Sequence, residues 1–214
     1  MKRKRVIYGI SIGILSLALL FVISALCVFV FIYRDINFEG DELLFERSGK
    51  YESTTLYAKD KNSPEDYVAV EQLSGFSKIY YPLDEIPEHL KRGIISVEDK
   101  IFYEHSGVDV KRSILAAMNY IFGQGDVFGA STLTQQVIKN ISGDSEQTVR
   151  RKLTEIIRAY HIEKRYEKDE ILELYLNVIP FGENSYGIGA ASRAYFGKEP
   201  YELTPAESAA LIGI

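Results

Sequence analysis

Three short stretches of the chain place side chains suited to acid–base or anion chemistry close together. The first, SVEDKIFYEHSG, sets the adjacent carboxylates of Glu98 and Asp99 among large apolar residues. Such a carboxylate is either solvated on a helix edge or held as a general base, and the pattern alone favours the solvated alternative. On a continuous helix Glu98, Phe102 and His105 would share one face.

The second stretch, GASTLTQQVIKN, places hydroxyl and amide side chains at the start of a predicted helix, with Lys139 two turns later. Thr132 and Gln135 have the spacing of a capping box. The free backbone N–H groups of a helix start also attract an anion or a polar sugar face. Ordinary capping is the alternative, and the pattern by itself favours it.

The third stretch, VRRKLTEIIRAY, has the period of an amphipathic helix. The residues predicted to form its buried stripe are Val149, Leu153, Ile156, Ile157 and Tyr160. Arg151, Glu155 and Arg158 fall on roughly the opposite side, with Lys152 on the flank. An Arg–Glu pair four residues apart is usually solvated and contributes a few tenths of a kcal/mol, about 0.2–0.5.

The elements that must position these stretches are mainly helical. From Pro87 onward the chain reads as successive helices, and Leu90, Ile94, Val97 and Ile101 give the first of them an apolar stripe. Because strands and helices do not alternate, the sequence predicts a mainly α domain over residues 85–214. Residues 34–84 contain TTLYAKD, DYVAVEQL and SKIYYPL, which predict short strands in a juxtamembrane segment.

The first residues predict a membrane anchor. Residues 2–5 are all Lys or Arg, and the 28 residues from 6 to 33 carry no charge, a run longer than the roughly 20 residues that cross a bilayer. The run is too long for the apolar part of a cleaved signal peptide. Positive charge before it predicts a cytoplasmic tail at 1–5, a single span at 6–33, and the remainder outside the cell membrane.

Charge and cysteine content exclude several classes of function. Five of the 25 Lys and Arg residues lie in residues 1–34, whereas all 30 Asp and Glu residues lie beyond Arg34. The external part is therefore acidic, which argues against binding nucleic acid. One cysteine excludes an internal disulfide framework, and no cluster of Cys and His has the spacing of a metal site.

The ordered stretches EDKIFYEHSGVD, GASTLTQQVIKN, RRKLTE, ILELYLN and SYGIGAASRAYFGK strongly resemble the motifs of the peptidoglycan glycosyltransferases, glycosyltransferase family 51. This family includes the transglycosylase domain of class A penicillin-binding proteins and the monofunctional transglycosylases. The resemblance covers about residues 82–214. It implies a lysozyme-like, mainly α fold with two lobes around a cleft, and an apolar surface on the smaller lobe that dips into the bilayer.

The resemblance also implies a reaction. Such enzymes polymerise lipid II into the growing glycan strand by inverting transfer and release undecaprenyl pyrophosphate. Glu98 matches the general base and Glu155 the second essential acid, which would organise the leaving group or a cation. A divalent cation, Mg²⁺ or Mn²⁺, is expected, and Glu155 is the candidate metal contact, although no dedicated ligand set is visible. Cell-wall synthesis proteins are the expected protein partners.

The same motifs imply the binding residues. The predicted substrate and pyrophosphate contacts are Thr132, Gln135, Gln136, Lys139, Asn140, Arg151 and Lys152. Asp99, Phe102 and His105 are expected to support Glu98 rather than to react.

Two departures from the family pattern keep other functions open. Gln147 occupies a position where family members often carry a phosphate-binding Arg, and the motifs usually continue past LTPAESAALIGI, so a domain incomplete at its C-terminus is expected. The alternatives are a lysozyme-like lytic or hydrolytic enzyme and a non-catalytic, membrane-anchored scaffold of cell-wall synthesis.

Overall fold

The computed structural model describes residues 2–48, 55–59, 67–72, 80–123, 129–143, 146, 148–182 and 185–214, so Gln147 lies outside the described residues. Within these ranges the chain is mainly helical, as predicted. The helices are α1 (Lys2–Arg34), α2 (Phe38–Ser48), α3 (Glu88–Glu98), α4 (Val110–Phe122), α5 (Leu133–Ser142), α6 (Val149–Ile162), α7 (Lys168–Val178), α8 (Gly187–Phe196) and α9 (Pro205–Ile212).

The apolar N-terminal run forms one long helix. α1 contains Ser11–Arg34, 24 residues of mean hydropathy 3.0, which is long and apolar enough to cross a membrane. Its side chains from Ser11 to Phe31 are exposed, whereas Ile32 is buried at the end that approaches α6. This pattern is consistent with the predicted single span.

The segment after the apolar helix contains both strands and a helix. Strands β1 (Thr55–Lys59) and β2 (Tyr67–Gln72) pair antiparallel. They lie in two of the three runs that the sequence predicts as strands. Of the third run, residues 77–79 lie outside the described residues; residues 80–83 form no strand, because Leu83 begins a short 3-10 helix, Leu83–Glu85. The sequence patterns missed α2, which packs against α5, α6 and α7 and stacks the buried Phe45 ring on Tyr166 at 4.1 Å.

The core is centred on α5 and α7, which pack against each other. α6 covers α5, α8 covers α7, and α3 packs on α9. The fully buried side chains at the centre include Leu90, Phe102, Leu133, Val137, Ile162, Ile171, Leu172, Leu176 and Ile188. Burying each large apolar side chain stabilises the fold by about 1.5–3 kcal/mol, so this cluster holds the helices that carry the three chemical stretches.

Two predicted apolar stripes are partly wrong. On α3, Leu90 and Ile94 are buried, but Val97 is 60% exposed because α9 covers only the face that includes Gly93. On α6, Val149 and Tyr160 of the predicted stripe are exposed. The buried residues of α6 are Glu155, Ala159 and Ile162.

The segment that precedes α3 is attached to α7 through the side-chain amide of Asn177. Asn177 Oδ1 accepts from the Tyr81 backbone N–H, and Asn177 Nδ2 donates to the Tyr81 carbonyl, both at 2.8 Å. The backbone of Asn177 meets Gly187, whose φ is +78° and whose Cβ, if present, would lie 2.5 Å from the Asn177 carbonyl oxygen. α7 thereby positions the segment from which α3 starts and the first turn of α8.

Replacing Asn177 with Ala is expected to destabilise the protein by about 2–4 kcal/mol, because two buried backbone groups of Tyr81 lose their partners. The measurement is chemical denaturation of the full chain in uncharged detergent micelles. Asn119→Ala, at an exposed position of α4, is the matched control and should change the free energy of unfolding by less than about 0.5 kcal/mol. Equal effects of the two substitutions would contradict the proposed role of Asn177.

Candidate active site

A cleft of about 450 Å³ brings together residues from the first, second and third stretches. Of the predicted site residues, Glu98, Gln135, Gln136, Lys139, Asn140 and Glu155 line it. Tyr175 of α7 and Leu211 and Ile212 of α9 complete its walls. Both predicted acids therefore face one cavity, although 57 positions of sequence separate them.

Glu98 is the last residue of α3, and its carboxylate is oriented by an uncharged donor. Gln136 Nε2 donates to Glu98 Oε2 at 2.8 Å, and the Tyr175 hydroxyl lies 3.5 Å from Gln136 Oε1. Arg112 donates to the Glu98 backbone carbonyl at 3.0 Å. Glu98 is half-buried, so its carboxylate is held in place while one side of it stays open to the cleft.

Tyr175 is a member of this site that the sequence analysis did not single out. Burial raises the pKa of its hydroxyl, and the nearby charge of Glu98 raises it further. The phenol therefore stays protonated and can donate toward the Gln136 carbonyl oxygen, which leaves the Gln136 amide N–H groups for Glu98. Its hydroxyl within the apolar run ILELYLN is the signal that could have identified it.

The predicted shared face of Glu98, Phe102 and His105 is wrong. α3 ends at Glu98, and Asp99 adopts φ −153° and ψ 74°, which no helix allows. The helix stops there because the fully buried Asp99 carboxylate is engaged elsewhere: Oδ2 accepts from the Leu133 backbone N–H at 3.0 Å and from His105 Nε2 at 2.9 Å. The turn that follows buries Phe102 completely, with its ring edge-on to His105.

His105 joins this turn to a second buried group of charges. Its Nδ1 accepts from the Gly107 backbone N–H at 3.1 Å, so the ring's proton is assigned to Nε2, which donates to Asp99. Glu163 lies beside the same ring and pairs with Lys168 at 2.6 Å and with the hydroxyl of Thr134. No sequence pattern predicts these contacts, since they join Thr134 of α5, Glu163 just after α6 and Lys168 of α7.

Glu155 lies among cations on the opposite wall of the cleft. Its side chain is 7% exposed; one oxygen pairs with Arg151 and the other lies 3.2 Å from Lys152 Nζ. Lys152 also donates to Ser131 Oγ at 2.6 Å and to Gln135 Oε1 at 3.0 Å. The pair that looked like a solvated helix pair is therefore a buried cluster, because α5 covers this face of α6.

Burial lowers the pKa of the Lys152 ammonium, and the neighbouring Glu155 carboxylate opposes that shift. The lowered pKa means that the surroundings disfavour the charged form more than water does. Glu155 is the counter-charge for both Arg151 and Lys152. An additional anion bound near Lys152 would therefore offset the cost of keeping this ammonium charged.

The remaining predicted binding residues divide between the cleft and its supporting wall. Lys139 is exposed and Asn140 half-buried, and both line the cleft. Thr132 is fully buried: its hydroxyl donates to the Gly107 carbonyl at 2.7 Å and accepts from the Gln135 backbone N–H at 3.2 Å. Thr132 thus caps α5 and connects it to the turn after α3.

The donor set does not fit a divalent cation held by protein side chains alone. Among the described residues, no three or more His, Cys, Asp or Glu side chains converge on one point. The two oxygens of Glu155 already face Arg151 and Lys152. The two neighbouring cations repel a metal ion and offset the attraction of this carboxylate for it.

Comparison with known proteins gives a family and a set of relatives. Residues 66–214 match the family model described as transglycosylase. Penicillin-binding protein 1F of Bacillus subtilis is 39% identical over 182 residues, which cover 85% of this chain and 25% of that protein. Penicillin-binding protein 2D of the same organism is 40% identical, covering 76% and 23%, and penicillin-binding protein 1A of Neisseria cinerea is 46% identical, covering 67% and 18%. The chain thus spans about a quarter or less of these curated relatives' length.

Asp99→Leu is expected to destabilise the protein by about 2–5 kcal/mol, because the Leu133 N–H and the His105 Nε2–H both lose a buried acceptor. Asp99→Asn keeps one acceptor oxygen and should lose less. Denaturation of the full chain in uncharged micelles measures both. Equal losses from the two variants would show that charge, rather than the acceptor position, is what Asp99 contributes.

Lys152→Met is expected to remove a pH dependence of stability. The folded protein releases the Lys152 proton at a lower pH than the unfolded chain does, so the free energy of unfolding rises with pH up to the unfolded pKa of about 10.4. Wild type and variant contain the same tyrosines, so the difference between their free energies of unfolding isolates the contribution of Lys152. A difference that stays constant from about pH 8 to about pH 10.5 would contradict the assignment.

Proposed function

Since the chain belongs to the transglycosylase family, we propose that it acts as a peptidoglycan glycosyltransferase that polymerises lipid II into glycan strands. The reaction transfers the growing chain from undecaprenyl pyrophosphate to the 4-hydroxyl of another lipid II, with inversion at the anomeric carbon. The observation that carries the proposal is a single cleft in which two carboxylates have contrasting surroundings. Glu98 meets a neutral amide, whereas Glu155 meets two cations.

Glu98 is the proposed general base. An alcohol is a weak nucleophile near neutral pH, so a carboxylate must accept its proton as the oxygen attacks. The 4-hydroxyl gives its proton to Glu98, its oxygen forms a bond to the anomeric carbon, and the bond to the pyrophosphate oxygen breaks with its electron pair. Gln136 and Tyr175 keep the carboxylate oriented toward the cleft.

Lys139, Arg151 and Lys152 are the proposed contacts of the departing pyrophosphate. Its negative charge grows as the bond breaks, and fixed cations at that wall stabilise the transition state. Glu155 holds Arg151 and Lys152 in position, and this is its proposed role as the second acid. Gln135 and Asn140 would bind sugar or phosphate oxygens, with Thr132 supporting the same wall.

A divalent cation, Mg²⁺ or Mn²⁺, is proposed to enter with the pyrophosphate, whose oxygens are hard ligands. The protein would contribute one contact at most, from Glu155. No step of the proposed reaction depends on the cation, because the donor set described above does not fit a metal held by the protein alone.

The lipid part of the substrate would remain in the membrane. α4 exposes an apolar stripe that consists of Val110, Ile114, Leu115, Met118 and Phe122, each at least 47% exposed. Exposed apolar patches of this kind mark membrane or protein contacts. The proposed arrangement is a single-pass protein with a cytoplasmic N-terminus, a two-lobed, lysozyme-like catalytic domain outside the membrane, and α4 dipping into the outer leaflet near other cell-wall synthesis proteins.

Glu98→Gln is expected to reduce polymerisation of lipid II by about 10²- to 10⁴-fold, the usual contribution of a general base. The measurement is glycan-strand formation by the purified chain in micelles, with Mg²⁺ present. Glu104→Gln removes an exposed acid from the turn after α3 and serves as the matched control.

Other outcomes of this experiment would favour another function. Shortening of preformed glycan without polymerisation would favour the lytic or hydrolytic enzyme. Equal polymerisation by Glu98→Gln and wild type would contradict the assignment of the base. If neither reaction occurs while the chain still binds lipid II, the scaffold is favoured.

A further inference from the structure

A second, smaller cavity lies where the apolar helix α1 meets the start of α6. Its volume is about 210 Å³, and it is lined by Arg150, Arg151 and Arg158 together with the hydroxyl-bearing Thr148 and Thr154. Ile32 and Ile36 close it on the side of α1. Three guanidinium groups from one helix therefore surround a space large enough for a phosphate group.

One of these guanidinium groups has a donor without a protein partner. Arg151 Nε is shielded from solvent and has no hydrogen-bond partner among the described residues. Arg158 Nε, in contrast, lies 2.9 Å from Asp41 Oδ2 and is paired with it. A buried donor without a partner costs free energy, so an oxygen-rich anion that enters the cavity and reaches Arg151 Nε would be stabilising.

The carboxylates around the cavity offset the charge of the three arginines but do not use up their donors. Each arginine pairs with one carboxylate: Arg150 with Asp35 at 2.6 Å, Arg151 with Glu155 and Arg158 with Asp41, and Glu146 also lines the wall. Each guanidinium carries five N–H donors in a planar fork. An ion pair with one carboxylate therefore leaves donors that match the tetrahedral oxygens of a phosphate.

The position along α1 indicates where such a phosphate would come from. Ser11–Arg34 has 24 residues, which span about 36 Å of helix, slightly more than the roughly 30 Å of bilayer hydrocarbon. Its last turn therefore lies at the level of the lipid headgroups. Arg150 places its guanidinium 5.9 Å from the ring centre of Phe31, so the cavity adjoins that turn.

We propose that this juxtamembrane arginine cavity binds the phosphate diester of an anionic membrane phospholipid. The proposal depends on α1 spanning the membrane and is independent of the glycosyltransferase reaction. A bound headgroup would fix the first turns of α6 relative to the bilayer. Arg151 borders this cavity and also pairs with Glu155 of the cleft, so the two sites share one residue.

The test measures lipid binding to the full chain by native mass spectrometry, from uncharged micelles supplemented with phosphatidylglycerol. Arg150→Gln and Arg158→Gln are each expected to weaken binding at least about fivefold, since each removes a charge-assisted donor group. Arg165→Gln is the matched control: it also removes one charge and one ion pair from the region after α6, but it lies outside the cavity.

A reciprocal substitution separates a binding role from a structural one. Asp35→Asn breaks the same ion pair as Arg150→Gln but frees the guanidinium, so it should strengthen lipid binding. A loss of binding in both variants would overturn the proposal, because the pair would then act only by holding the structure. Binding of phosphatidylcholine as tight as that of phosphatidylglycerol would contradict the preference for an anionic headgroup. Equally tight binding of inorganic phosphate would contradict the proposal that a lipid supplies the phosphate.

Discussion

The buried carboxylate of Asp99 is the contact on which the geometry of the cleft depends. One of its oxygens accepts from the first backbone N–H of α5 and from His105, so α3, the turn after it and α5 are joined at one atom. Because Asp99 is drawn into this contact, α3 ends at Glu98, and the Glu98 side chain is left at the edge of the cleft. Thr132 reinforces the junction by capping α5 and binding the Gly107 carbonyl.

The two acids of the cleft, Glu98 and Glu155, differ in their electrostatic surroundings. Glu98 has an amide donor and a neutral phenol behind it, which suits a group that must accept a proton. Glu155 is buried between Arg151 and Lys152, and both of its oxygens face these cations. Cations fixed in this way suit a departing anion. The proposed division of labour between base and leaving-group site thus follows from which helix supplies each acid.

α6 connects the cleft with the apolar helix α1. Its first turn carries Arg150, which pairs with Asp35 just beyond α1, and the next residue, Arg151, reaches Glu155 in the cleft. Farther along, Arg158 and His161 contact Asp41 and Glu42 of α2. α2 and the end of α1 therefore both pack on the helix that carries Glu155, so α6 links the orientation of α1 to the position of the cleft.

The sequence by itself determined the helical class of the domain, the long apolar helix at the N-terminus, the family resemblance and six of the sixteen residues that line the cleft, because periodicity, length and ordered motifs are local properties. It could not determine that α3 stops at Glu98, since the cause is a hydrogen bond from Leu133, 34 positions after Asp99. Nor could periodicity show that α6 buries Glu155 while exposing Val149 and Tyr160, because its hydrophobic pattern does not reveal that α5 covers the charged face. α2 was missed for the same reason: its partners Arg158, His161 and Tyr166 lie more than 100 residues away. Only the tertiary structure decided these features, because each depends on a buried polar or aromatic contact between residues distant in sequence.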